Sequence, residues 1–233
     1  MEDYNKEDYE IYFSHQLDLR PFNRGAIKNI GFLAMKKKYP NNYKNITFIF
    51  HDVDTMPYKK NILNYETQDG IIKHYYGYEF ALGGIFSIKG KDFERINGFP
   101  NMWGWSMEDN MIQERVLKNG LRIDRSNFFK LGARTILQFT DGITKMINKK
   151  EIAGFLNKDY HHGLNSIKNL IFEESGEFIN VRNFETETNA NAQKYESHDI
   201  SNPNSNKIRL THQERHGSNN ITIGSMRNMI LKR

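Results

Sequence analysis

Cysteine is absent from all 233 residues, which removes disulfides, thiolate metal sites and cysteine nucleophiles at once. Proline is scarce at five residues, and tryptophan scarcer at two. No stretch approaches the ~20 apolar residues of a membrane span. The opening Met-Glu-Asp-Tyr-Asn-Lys-Glu-Asp-Tyr-Glu is too polar and acidic for a signal peptide, so a soluble, cytoplasmic chain is expected. Without a secretory route, the sequons at Asn45 and Asn220 carry little weight. What remains is 38% hydrophobic and 13% aromatic, enough for one core in one domain with a tail. The net charge of +5 is spread over short runs such as Lys36-Lys37-Lys38 and Lys59-Lys60. No nucleic-acid-binding motif accompanies them, so an attracted partner is expected to be a nucleotide diphosphate and not a nucleic acid.

Composition changes once. Through residue 184, apolar segments alternate with turn signals, whereas Glu185–Asn206 is almost wholly polar; residues 185–233 are therefore expected to form a polar, disordered tail on a 1–184 body. In the body, Tyr9–Phe13 reads as a short strand. Asn23 caps a helix carrying Ile27, Ile30, Ala34 and Met35 on one face, ended by Pro40. Ile46–Phe50 is a buried strand, Phe80–Ile88 a strand interrupted by Gly83-Gly84, and Lys91–Ile96 a short helix. Ser106 caps a helix over Met107–Lys118, closed by Gly120 before a strand at Leu121–Ile123. The alternation predicts an α/β fold.

Chemistry concentrates in two places. Phe50-His51-Asp52-Val53-Asp54 puts two carboxylates where a strand opens into a loop. Ligands of α/β sheets bind beyond such strand ends, and carboxylates are hard donors suited to Mg²⁺ or Mn²⁺; two aspartates after a strand are also a common solvated turn. The second place is Asn97-Gly98-Phe99-Pro100-Asn101-Met102-Trp103-Gly104-Trp105-Ser106-Met107-Glu108-Asp109-Asn110. Both tryptophans lie in a loop just before two acids at a helix start. The acids complement the helix dipole, but indole faces beside carboxylates also suit a hexose, whose apolar face packs on the ring while its hydroxyls donate to the acid.

Taken in order, Phe22-Asn23-Arg24, Ile30-Gly31-Phe32, the HDVD segment, Gly83-Gly84, Ile96-Asn97-Gly98-Phe99-Pro100-Asn101, Trp103-Gly104-Trp105 with Glu108-Asp109, and Gly163-Leu164-Asn165-Ser166 resemble the β-1,4-galactosyltransferases over roughly Tyr9 to Phe172. The resemblance implies a GT-A-like nucleotide-diphospho-sugar transferase. It implies a donor site at Phe22, Arg24, Asp52, Val53, Asp54, Ala81, Gly83, Gly84 and Trp105, with Asp54 on Mn²⁺. Asp109 is implied as general base with Glu108 beside it, and Trp103, Glu108 and Asn110 as acceptor contacts. The partners it implies are a UDP-sugar and a glycan.

Departures from the family pattern set further expectations. The family's first strand, with a Pro-Phe-Arg-Asn-Arg segment, has no counterpart here, so the site is expected to lack half its nucleotide cradle; a second chain could supply the strand, and a non-catalytic remnant binding glycan or nucleotide is the alternative. Distal metal ligands are also missing from Arg134–Asp141, leaving Gln138, Asp141, His161 or His162 as substitutes. Ala81 stands where galactose-specific members carry an aromatic residue, leaving room for the acetamido group of UDP-N-acetylgalactosamine. Ser106-Met107 replace two glycines and should stiffen the loop hinge.

Overall fold

The computed structural model describes residues 3–139, 142–156, 161–192, 194–201, 207–208 and 221–222. The chain runs through β1 (Phe13–Gln16), α1 (Arg24–Lys38), β2 (Thr47–His51), β3 (Thr55–Pro57), β4 (Ile71–Gly77), β5 (Ile85–Lys89), α2 (Gly90–Arg95) and α3 (Glu108–Lys118). It continues with β6 (Arg122–Asp124), β7 (Phe129–Lys130), β8 (Ile136–Gln138), β9 (Thr144–Ile147), α4 (Lys149–Leu156), β10 (Lys168–Ser175), β11 (Phe178–Glu185) and β12 (Glu196–Asp199).

The central sheet has the order β2-β5-β4-β6, with β7 also on β4. Because β5 is antiparallel to both β2 and β4, those two strands point the same way, and their last residues, His51 and Gly77, reach one edge of the sheet. A second sheet, β1-β11-β10, joins β1 to β11 in parallel and β11 to β10 as a hairpin.

Helix α1 lies between these layers. Its start is fixed by Asn23, whose side-chain oxygen accepts the Ala26 amide at 2.9 Å, and Lys36, Lys37 and Lys38 complement the dipole at its end. Ala26, Ile27, Ile30 and Ala34 pack with Ile179 and Val181 of β11. On another side, Phe32 enters an aromatic core with Tyr43, Phe48 and Phe93, continued by Phe50, Phe86 and Phe99.

Several elements differ from the sequence expectation. Strand β1 sits at Phe13–Gln16, not Tyr9–Phe13. Residues 78–84 form a loop, and β5 begins only at Ile85, because Gly84 adopts φ +69° and a Cβ there would come within 2.3 Å of the Tyr76 carbonyl oxygen. Helix α3 is capped by Met107 with no side-chain cap bond; Ser106 precedes the cap, and its hydroxyl is buried without a partner. Strand β4 and the β10–β11 hairpin add to the elements that the local sequence signals mark.

The chain also keeps its structure past Glu185. Thr186 and Thr188 receive the Trp103 indole N–H, Ala190 is buried, and β12 pairs with β9. Polar composition misleads here because ladder bonds and one indole, with Ala190 and Tyr195 seated on the second core, anchor the segment. Beyond residue 201, Lys207–Ile208 pairs with Ile221–Thr222, and the rest of the expected tail lies outside the described residues.

Trp103 is a keystone of the second core, not an acceptor contact. Its ring is 1% exposed, stacks on Phe184 at 5.3 Å and lies under the Arg20 guanidinium. Trp103→Ala should therefore cost about 3–5 kcal/mol of folding stability, read by denaturant titration. A loss below about 1 kcal/mol would return Trp103 to the site surface.

Candidate active site

Three chain segments meet at the sheet edge where β2 and β4 end. These are the Asp52–Asp54 loop, the 78–84 loop, and the first turn of α3 with Glu108 and Asp109. The start of α1 faces them. Arg24, the first residue of that helix, puts a cation at the positive end of the dipole, the wrong place for helix stability. Its partners explain it. One guanidinium nitrogen, Nη1, lies 2.7 Å from Glu108 Oε1 and 2.7 Å from Asp109 Oδ2, while Nη2 pairs with Asp52 Oδ2. One turn on, Lys28 sits 2.9 Å from the other Asp52 oxygen and over the Phe99 ring.

The charges respond to this packing. Burial works against the Asp52 charge, but Arg24 and Lys28 outweigh it and hold the carboxyl well below its usual range. Burial, helped by the neighbouring Asp109 charge, pushes Glu108 up despite the pull of Arg24. Burial also opposes the Arg24 charge, yet Asp109, Asp52 and Glu108 together drive its pKa far above the ordinary value. Glu108 Oε2 and Asp109 Oδ1 remain buried with no partner, a cost that structures tend to retain only at functional positions.

Backbone contacts fix the segments to one another. The Asp52 amide donates to the Gly84 carbonyl at 3.0 Å, and the Leu82 amide to the Asp109 carbonyl at 2.8 Å. A Cβ on Gly83 would fall 2.2 Å from Asp109 Oδ2, so glycine is what lets the acid lie against the turn. Trp105 is anchored through its amide to the Met146 carbonyl at 2.7 Å, and its ring faces His198 of β12.

Two family models match the chain: an N-terminal region of glycosyl transferase group 7 over residues 3–66, and an N-terminal domain of galactosyltransferase over residues 71–138. Human β-1,4-galactosyltransferase 4 is 35% identical over 130 residues, covering 51% of this chain and 36% of that protein. Drosophila melanogaster β-1,4-galactosyltransferase 7 is 27% identical over 177 residues, covering 69% and 52%. The chain thus spans about a third to a half of the length of these relatives. Its fold matches the catalytic domain of the Drosophila enzyme solved with xylobiose, with TM-score 0.57 at 22% identity over 78% of this chain and 82% of that one. A mutant of that enzyme, solved with manganese, UDP-Gal and xylobiose, matches with TM-score 0.54 at 19% identity over the same shares. The chain belongs to the β-1,4-galactosyltransferase family.

In this family member Phe22, Arg24, Asp52, Val53, Asp54, Ala81, Gly83, Gly84, Trp105, Glu108, Asp109 and Asn110 all line one cavity; Trp103 does not. Phe22 is 54% exposed and Val53 81%, so both are free to meet a ligand. The Asn110 side chain reaches the Phe80 carbonyl at 3.3 Å. Gln138 adjoins Asp54, with Nε2 3.5 Å from Asp54 Oδ2 and Oε1 accepting from the Tyr76 hydroxyl at 2.6 Å. His162 is buried, and its Nδ1 accepts the Asn101 amide. It braces the NGFPN loop against Gly163 and Ser166, which also bond Asn101, so it is not a metal substitute. His161 is drawn to the same loop, its carbonyl accepting from Asn97. Asp141 lies outside the described residues. Among the described residues, no three His, Cys, Asp or Glu side chains gather as a metal cage, and no helix is long and apolar enough to cross a membrane.

Sequence reasoning missed Lys28, Tyr78 and His74. Lys28 was findable as the i+4 neighbour of Arg24 on one helix face. Tyr78 stacks on Phe80 at 4.9 Å beside the cavity, and its hydroxyl is buried without a partner; no local pattern marks it. His74 lies inside β4.

Replacing Arg24 by Met should leave Asp52, Glu108 and Asp109 facing one another with only Lys28 nearby. A loss on the order of 2 kcal/mol is expected, less than for a fully buried pair because the guanidinium is 23% exposed. Because Arg24 depresses the Asp52 pKa, its share of stability is present above the unfolded carboxylate pKa and lost as pH falls through the folded one. The difference between parent and mutant should thus shrink in acid, and a pH-independent difference would refute the ion-pair account.

Proposed function

We propose that this chain is an inverting glycosyltransferase that moves galactose or N-acetylgalactosamine from a UDP-sugar to a glycan hydroxyl. The observation that supports this reading is the pair Glu108 and Asp109 on Arg24, each acid committing one oxygen to the guanidinium and keeping another buried and unpartnered. The complexes of the Drosophila relative with UDP-Gal, manganese and xylobiose point to the same ligand classes.

Asp109 removes the proton from the acceptor hydroxyl as that oxygen attacks the anomeric carbon, and UDP departs from the opposite face. One displacement inverts the centre. Glu108, held towards its neutral form by burial, hydrogen-bonds the acceptor beside it. Trp105 supplies an aromatic face over the donor. Asp54, which lines the cavity at the end of β2 with Gln138 alongside, is the residue that would hold Mn²⁺. Manganese, when bound, neutralises the departing diphosphate. The Gln138 oxygen is taken by the Tyr76 hydroxyl, so one carboxylate is the hard donor evident there among the described residues, which implies weak affinity for the metal alone.

Calorimetric titration of UDP with and without Mn²⁺ tests the donor side: Mn²⁺ should tighten UDP binding to the parent and not to Asp54→Ala. Asp109→Asn should bind UDP as the parent does but lose about 10² to 10⁴ in transfer rate. Unchanged Mn²⁺ dependence in the first variant, or unchanged transfer in the second, would remove these roles.

A second reading, a chain that acts only when a further strand completes it, is supported by one observation. Strands β1 and β2 each end their own sheet and line the same cavity of about 2760 Å³, well above the roughly 300–1,000 Å³ of a small-molecule site. A partner chain inserting a strand there would narrow it. Absence of any Mn²⁺-dependent UDP binding by the chain alone would favour this reading.

Ala81, buried against the cavity, bears on the donor. Its small side chain leaves space for an acetamido group, so Ala81→Tyr should shift preference towards UDP-galactose. Competition between the two UDP-sugars on parent and variant reads this directly. An unaltered ratio would show that Ala81 does not face the sugar.

A further inference from the structure

A chain of contacts leaves α3 at one residue and returns to it a turn earlier. Gln113 Oε1 accepts Arg125 Nη2 at 2.6 Å, and Arg125 Nε donates to His74 Nδ1 at 3.0 Å. With Nδ1 accepting, the ring hydrogen must sit on Nε2, which faces the Gly83 and Tyr76 carbonyls at 3.0 Å each. Gly83 carries the Asp109 carboxylate directly above it, and the adjoining Leu82 amide donates to the Asp109 carbonyl. Asp109 and Gln113 are four apart, hence on one face of α3.

We propose that His74, with Arg125 and Gln113, is a positioning network that holds the Gly83 turn and thereby fixes the Asp109 carboxylate. The proposal rests on the reading of Asp109 as the base. His74 is 1% exposed and packs on Phe128, so a phenylalanine would fill the same space. Only an imidazole offers an acceptor to Arg125 and a donor to Gly83 from one rigid ring. Burial, with the Arg125 charge, pushes its pKa down to about 4, which keeps this one-donor, one-acceptor form at neutral pH.

The test compares His74→Phe, which removes both bonds, with His74→Gln, whose amide N–H can replace the donor to Gly83. Hydrogen exchange reads the turn without any need for turnover. In the phenylalanine variant the Leu82 amide should exchange at least about tenfold faster, while amides of the β2–β5 ladder stay within about twofold. The glutamine variant should fall between it and the parent. Gln113→Leu, which cuts the network at its far end, should reproduce the effect and serves if the phenylalanine variant does not fold. In transfer assays kcat should drop roughly tenfold or more, with KM for the UDP-sugar within about twofold. Unchanged Leu82 exchange in a folded variant, or equal acceleration across the whole sheet, overturns the proposal. A parent without transfer activity counts against the function proposed above, and the exchange result then decides this inference alone.

Discussion

The site depends on the guanidinium of Arg24. Three carboxylates from two separate segments converge on it, and without a central cation their mutual repulsion in a partly dry setting would drive the Asp52 loop and the start of α3 apart. Lys28 shares the load at Asp52. The arrangement explains a local anomaly, a cation at the first position of a helix that has no acid in its first turn. Helix stability is given up there for a charge that organises the cavity, the kind of rule-breaking that marks a functional position.

Backbone geometry supplies the precision that ion pairs lack. The glycines at 83 and 84 do different things: the first leaves room for a carboxylate, the second turns the chain at φ +69° past the Tyr76 carbonyl. Together they bring the Asp52 amide to one carbonyl of the turn and Asp109 onto the other residue. The two acidic segments are thus linked twice, by charge through Arg24 and by hydrogen bonds through the turn.

Much of this was legible in the sequence, and the exceptions are instructive. Asn23 as cap, the strand before Asp52, and the convergence of Arg24, Asp52, Glu108 and Asp109 all followed from local signals or from the order of motifs. Trp103 and Trp105 looked alike in sequence, yet one is sealed against Phe184 and the other lines the cavity. What distinguishes them is distant in sequence: Phe184 of the β10–β11 hairpin, 81 positions on, stacks on Trp103, and Arg20, Thr186 and Thr188 close around it. His74 was invisible for a similar reason: its partners Arg125 and Gly83 lie on other elements, and an isolated histidine in a strand reads as core.

The polar C-terminal region shows the same limit from the other side. Its composition argues against a core of its own; the described residues 186–201 are held because β9 offers an edge, Trp103 an indole N–H, and the second core a seat for Ala190 and Tyr195. That attachment reaches the site. Strand β9 carries Met146, whose carbonyl anchors Trp105, and β12 places His198 against the Trp105 ring. The loop over the cavity is therefore bounded on its outer side by the segment with least apolar content, held by ladder bonds near the surface. Such bonds open at lower free energy than a buried core, so the Trp105 side of the cavity is held less firmly than the side where Glu108 is buried.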